Sequence, residues 1–247
     1  MMLHKGYMTK VDNIESEVLF NRRIYVERVL KMKVLIVGAN GQIGKHLTSF
    51  IKEHNDLEAK VMIRKEEQAS YFKDLGAETA VVDLEEDINA IAKAAEGVDA
   101  IVFTAGSGPN TGADKTMLVD LDGAVKTIEA AKVAGVKRFV MISSYDTTRE
   151  AIQSAPSSFS PYVAAKHYAD EWLRATDLDY TIIHPGALTN DQGIGKVNAA
   201  TRVERNEIPR EDVASVIIAT LENDATIGKE FQVVTGTEPI KESIHSL

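Results

Sequence analysis

Seven short runs rich in Val and Ile, separated by longer stretches of helical period, follow one another from Met32 almost to the C-terminus. The runs lie near 33–37, 59–63, 78–82, 98–103, 137–142, 179–183 and 230–234, with helices expected over 42–54, 66–75, 86–95, 114–134, 159–175 and 210–223. A strand that is apolar throughout is buried on both faces, and helices between successive strands supply that cover. The pattern therefore predicts an α/β fold, a doubly wound parallel sheet of about seven strands in one domain. Gly135, after Val133-Ala134, reads as a helix stop. No repeat, low-complexity tract or linker interrupts 32–247. Sheets of this kind hold ligands beyond the carboxyl ends of their strands, so the informative loops are those that follow strands.

Residues 1–31 do not fit the pattern. They carry six basic side chains against four acidic ones, whereas the whole chain of 247 residues has a net charge of −9. Charges interrupt every apolar run that could make a secretory signal. We expect an extension, either loosely attached or an upstream start ahead of a natural Met32, with a packed helix over 14–30 as the alternative. The overall negative charge disfavours a mainly electrostatic grip on nucleic acid or an anionic membrane. The absence of Cys excludes disulfides, thiolate metal sites and cysteine nucleophiles, and fits a reducing, cytoplasmic setting. No apolar run approaches the roughly 20 residues that span a bilayer. No cluster of His and carboxylates has metal-ligand spacing. Chemistry is left to Ser, Tyr, His, Lys, Asp and Glu, acting on a small molecule, with oligomeric state undetermined.

The first strand runs into Gly38-Ala39-Asn40-Gly41-Gln42-Ile43-Gly44, three glycines at a spacing that lets backbone turn tightly between strand and helix. A pyrophosphate can approach such backbone and meet free N–H groups at the helix start, which makes Gly38, Asn40, Gly41, Gln42, Ile43 and Gly44 dinucleotide-binding candidates. Twenty residues after Gly44, where an acid would hold the adenosine ribose hydroxyls of NAD, the chain has Arg64-Lys65. Two cations there suit the 2′-phosphate of NADP(H), with NAD(H) kept as the alternative. Asp83, with Leu84 after it, can accept from the adenine amino group or cap the helix that follows. Thr104, Ala105 and Gly106 are small enough for a ribose and nicotinamide to pass close to backbone.

The fifth strand ends in Ser143-Ser144, and Tyr162 and Lys166 follow at i and i+4 on one helix face. There the ammonium can favour the ionised phenol, which can then give or take a proton near neutrality. Tyr-x3-Lys alone is weak. Its weight comes from order: glycine loop, serine pair at a strand end, then Tyr and Lys opening a helix.

With these residues in place, 32–240 resembles the short-chain dehydrogenase/reductase superfamily, in particular its atypical and extended branch of epimerase/dehydratase-like and NAD(P)H-binding proteins. The segments Val37 to Gly44, Arg138 to Ser144, Tyr162 to Lys166, Pro185-Gly186-Ala187-Leu188 and Ile208 to Ala214 carry the resemblance. It implies a Rossmann fold of strand order 3-2-1-4-5-6-7 and a Ser-Tyr-Lys site. Tyr162 would exchange the proton at the substrate oxygen. Lys166 would hold the nicotinamide ribose, and Ser144, with Ser143 one register away, would orient the carbonyl. Pro185, Gly186 and Leu188 would pass beside the carboxamide.

Two positions depart from the family pattern: Asp120 stands where Asn is common, three residues before Gly123, and His184 where Arg often precedes Pro-Gly. His184 and His167 have no partner evident from sequence. The expectation is an NADP-preferring oxidoreductase for a small carbonyl or quinone-like substrate. A non-catalytic NADP-sensing protein and an NAD-dependent epimerase or dehydratase are the alternatives. Only about two dozen residues, 186–209, lie between the sixth strand and the Arg210 helix, little material for a sugar-nucleotide pocket.

Overall fold

In the computed structural model, Val34 to Val37 are fully buried in β1 (Met32–Val37), an interior strand of a sheet that has nine strands among the described residues. The structure describes residues 31–108 and 110–247. The expectations for the N-terminal extension concern residues that lie, apart from Lys31, outside these. On one side of β1 lie β2 (Leu57–Ile63) and β3 (Glu78–Val81). On the other lie β4 (Ala100–Phe103), β5 (Arg138–Ile142), β6 (Asp179–Pro185) and β10 (Lys229–Thr235), all parallel. That run, β3-β2-β1-β4-β5-β6-β10, is the expected order, with β10 as the seventh strand.

Alternate strand residues point to opposite faces, and the helices divide accordingly. Val34, Ile36, Val61 and Val140 pack with α1 (Gln42–Lys52), α2 (Ala69–Asp74), α8 (Arg210–Leu221) and α9 (Ile240–His245). Leu35, Val37, Ile101, Phe103 and Met141 pack with α3 (Ile88–Ala94), α5 (Gly123–Ala134) and α7 (Ser160–Arg174). Gly135 ends α5 at φ 74°, the left-handed turn expected of a glycine stop.

Three features differ from the sequence reading. The expected helix 114–134 is broken into α4 (Ala113–Lys115), a π-helical stretch Thr116–Asp122 and α5, and the wider turn carries the fully buried Asp120. The helix after β3 is capped by Asp87, whose carboxylate accepts from the Ala90 N–H at 3.0 Å. Asp83 instead accepts from the Glu85 N–H in the preceding turn. Residues 186–209, where the sequence reading placed no strand, hold three. β7 (Ala187–Thr189) pairs with β9 (Glu207–Pro209). β8 (Lys196–Ala200) pairs antiparallel with β10, and β11 (Glu238–Pro239) with β8, which raises the sheet from seven strands to nine.

Candidate functional site

At the end of β1, Gly38 takes φ 87°, and a Cβ there would lie 2.6 Å from the Ala105 Cα and N. The glycine thus lets the β1 and β4 strand ends touch, a packing demand added to the left-handed backbone. A Cβ on Gly44 would meet the Gly38 carbonyl oxygen at 2.6 Å. Gly41 is the N-cap of α1 and offers no side-chain cap, so the first N–H groups of the helix are free to meet an anion. Thr104 closes the far side, its hydroxyl and N–H both donating to the Val37 carbonyl, at 3.0 and 2.9 Å. The tight turn, the close approach and the uncapped helix fit a dinucleotide pyrophosphate. Gln42 and Asn40 lie exposed at the mouth, whereas Ile43 is buried in the core.

Arg64 and Lys65 leave the end of β2 exposed. The Gln68 side-chain oxygen accepts from both their N–H groups, at 3.0 and 3.1 Å, and fixes the loop. Neither side chain forms an ion pair with another described residue. Asp83 and Leu84 follow β3. Leu84 packs so closely on Gly123 that a Cβ there would come within 2.6 Å of its Cδ2.

Lys166 is 3% exposed on α7. Its Nζ lies 3.4 Å from the carbonyl oxygens of both Ala105 and Ile142, at the ends of β4 and β5. It is also 5.9 Å from the Tyr162 ring centroid. Tyr162 is half-buried, its ring 5.1 Å from that of Phe159. Asp120 brings its carboxylate to the same place. One oxygen accepts from the Ser107 N–H at 3.0 Å; the other lies 3.5 Å from Lys166 Nζ. At that distance the ammonium is an ion-pair partner, not a good hydrogen-bond donor, and this buried oxygen has no hydrogen bond to a described residue. The residue at the usual Asn position is therefore a buried carboxyl group facing Lys166 Nζ.

The serine pair divides sharply. Ser143 is buried, and its hydroxyl donates to Asp170 at 2.7 Å, as Thr147 does at 2.8 Å. Ser144 is half-buried, and its hydroxyl makes no bond to a described residue. Burial holds the Asp170 carboxyl above the usual carboxylate range, against the pull of His184 and the two hydroxyls.

Sequence reading missed the partners of both histidines. The His167 ring faces the Thr147 carbonyl at 2.7 Å. His184, buried on β6, places Nδ1 2.7 Å from the Ser144 carbonyl and Nε2 3.3 Å from a Glu230 carboxylate oxygen. Both neighbours are acceptors, which assigns a proton to each nitrogen. Burial alone would lower the His184 pKa, but the Glu230 hydrogen bond, Asp170 and the Ser144 carbonyl together raise it above the ordinary value. Glu230 is held down to about 2, first by His184 and then, against its partial burial, by the two-pronged bond from Arg174 at 2.9 and 2.6 Å. Glu230 comes from β10, 46 positions from His184, and the Ser144 carbonyl from the end of β5, 40 positions away, and no local pattern announces them.

Pro185 and Gly186 are buried at the end of β6, with Leu188 exposed beyond them. A Cβ on Gly186 would meet the Asn206 carbonyl oxygen at 2.1 Å, so this glycine answers first to the packing of the chain that leads into β9.

The geometry agrees with comparisons to known proteins. YhfK of Bacillus subtilis (strain 168), named an uncharacterized sugar epimerase, is 48% identical over 216 residues, 87% of this chain and 100% of its own length. A solved structure from Bacillus halodurans, provisionally named an NAD-dependent epimerase/dehydratase, superposes with TM-score 0.82 at 42% identity, covering 87% of this chain and all of the other. The oxidoreductase ylbE of Lactococcus lactis does so with TM-score 0.79 at 34% identity, over 87% of this chain and 96% of its own. Residues 38–224, from the first glycine of the loop to the turn before β10, match the NAD(P)H-binding family, and the chain belongs to that family.

Proposed function

We propose that the protein is an NADP(H)-preferring oxidoreductase that exchanges a hydride with a small carbonyl or quinone-like substrate, using Tyr162, Lys166 and Ser144. The observation that carries this reading is the buried Lys166 ammonium beside the Tyr162 ring, at the strand ends where the Ser144 hydroxyl bonds no described residue. The loop Gly38 to Gly44 would hold the pyrophosphate, Arg64 and Lys65 the 2′-phosphate, and Thr104, Ala105 and Gly106 the passage to the nicotinamide. When bound, the cofactor supplies or accepts the hydride. In the reducing direction, Tyr162 gives its phenolic proton to the substrate oxygen and Ser144 donates a hydrogen bond to the same oxygen, which orients it. Lys166 Nζ lies 5.9 Å from the ring that gives up this proton. Asp120 balances the buried ammonium, and the Ala105 and Ile142 carbonyls hold it in position.

The name of YhfK raises the epimerase reading, which calls for tightly held NAD. Arg64 in the acid's place and the short segment between β6 and α8 favour the oxidoreductase. The test is NADPH oxidation over quinones, aldehydes and ketones by wild type and Tyr162→Phe. Turnover should fall by about 10²–10⁴-fold with NADPH affinity kept. Turnover insensitive to the substitution overturns the mechanism, and tight NADPH binding without turnover of any substrate makes the protein a sensor.

A further inference from the structure

Tyr145, the residue after Ser144, belongs to a closed ring of hydrogen bonds. Its hydroxyl donates to the Val203 carbonyl at 2.6 Å, the Val203 N–H donates to the Gln232 side-chain oxygen at 3.0 Å, and the Gln232 amide donates back to the Tyr145 carbonyl at 2.8 Å. Three residues further, the Asn206 carbonyl accepts from the Ala187 N–H at 3.0 Å and closes over Gly186. The chain between Val203 and Asn206 is thereby pinned at both ends, on the ends of β5 and β6.

Arg205 lies between these pins. Its guanidinium centre is 5.8 Å from the Tyr145 ring centroid. Stacking on an aromatic face holds the planar fork while leaving its N–H donors free. Arg205 is exposed, and no carboxylate of a described residue lies within 4.0 Å of it, in contrast to Arg174 on Glu171 and Glu230. The nearby Arg202 lies in the field of Asp146. Glu204 and Glu207 flank Arg205 in the chain without pairing with it.

We infer that Arg205 anchors an oxyanion group of the substrate, a carboxylate or a phosphate, while the reacting carbonyl lies at Ser144 and Tyr162. This rests on the oxidoreductase reading for the location of the carbonyl. A fork stacked beside the catalytic strand ends, with no acid of a described residue on it, meets such a group with two parallel N–H···O bonds. Neutral substrates of the same shape forfeit that contact.

The experiment uses the full chain saturated with NADP⁺ and three para-substituted benzaldehydes: 4-carboxybenzaldehyde, 4-formylphenyl phosphate and the neutral methyl 4-formylbenzoate. Calorimetry should show one of the anionic aldehydes binding about tenfold or more tighter than the ester, and the stronger arm names the group. Arg205→Ala should erase the preference and Arg205→Lys should keep part of it. Arg149→Ala, whose guanidinium lies on Tyr168 instead, should retain it in full. Equal affinities, no binding by any of the three, or a preference that survives Arg205→Ala overturns the inference. With NADPH in place of NADP⁺ as the hydride donor, Tyr162-dependent reduction of the ester's aldehyde without an oxyanion preference leaves the oxidoreductase reading standing. The preference without turnover of any aldehyde does the reverse.

Discussion

Gly38 and Gly135 both sit at positive φ, at 87° and 74°, yet their surroundings set different costs for a side chain. A methyl at Gly135 meets nothing within 4 Å, so Gly135→Ala should cost only the left-handed backbone, about 1–2 kcal/mol. Gly38→Ala adds a collision with Ala105 backbone and should cost about 1–3 kcal/mol more, while also displacing the β1–β4 junction. Denaturant titration of the two variants checks the ordering, and equal losses would refute the packing argument. The three-glycine spacing was legible in the sequence. The reason for the first glycine was half hidden, because its partner Ala105 lies 67 positions away. Asp120 stood out only as a departure; its pairing with Lys166 depends on the π-helical turn that carries it inward.

Among the elements, the ends of β5, β6 and β10 are joined by ionisable groups, and stability should follow their titration. The His184 pKa is raised in the fold, so its contribution is complete below about 6.5, the ordinary value, and is lost as pH rises through the folded value. The Glu230 pKa is depressed to about 2, so its contribution is complete above the ordinary carboxylate range and is lost as pH falls toward that value. Both are present in full between about pH 4.5 and 6.5. Unfolding free energy measured against pH should show both flanks in the wild type and weakened flanks in Glu230→Gln. An unchanged profile in the variant would mean the pair carries no linkage. The seven parallel strands and the longer helices were legible because their apolar periods repeat over several turns or across both faces. β8, β9 and β11 were not. They run for five, three and two residues, with Asn, Ala, Glu and Pro among them, and exist because β10, β7 and β8 respectively offer edges.

Across the whole molecule, the glycine loop and α1 belong to one face of the sheet, Tyr162 and Lys166 on α7 to the other, and the two meet over the ends of β1, β4 and β5. A ligand bridging them should stabilise the fold as a unit. At about 100 times its dissociation constant, NADP⁺ should add about 2.7 kcal/mol to the unfolding free energy. Arg64→Ala should shrink the effect of NADP⁺ at fixed concentration and leave that of NAD⁺ unchanged, read as thermal shifts. A larger shift with NAD⁺ in the wild type would overturn the proposed preference.

Apolar period, glycine spacing and the order of Ser, Tyr and Lys are properties of neighbouring residues, and they determined the layers, the strand order through the family resemblance, and the candidate site. Tertiary structure decided which serine is held by Asp170, what faces Lys166, which groups hold His184, and where Arg205 lies. Each of those depends on side chains tens of residues apart being brought within a few ångströms. Buried hydrogen bonds and ion pairs are that short-ranged, so a linear sequence does not display them until packing has selected the partners.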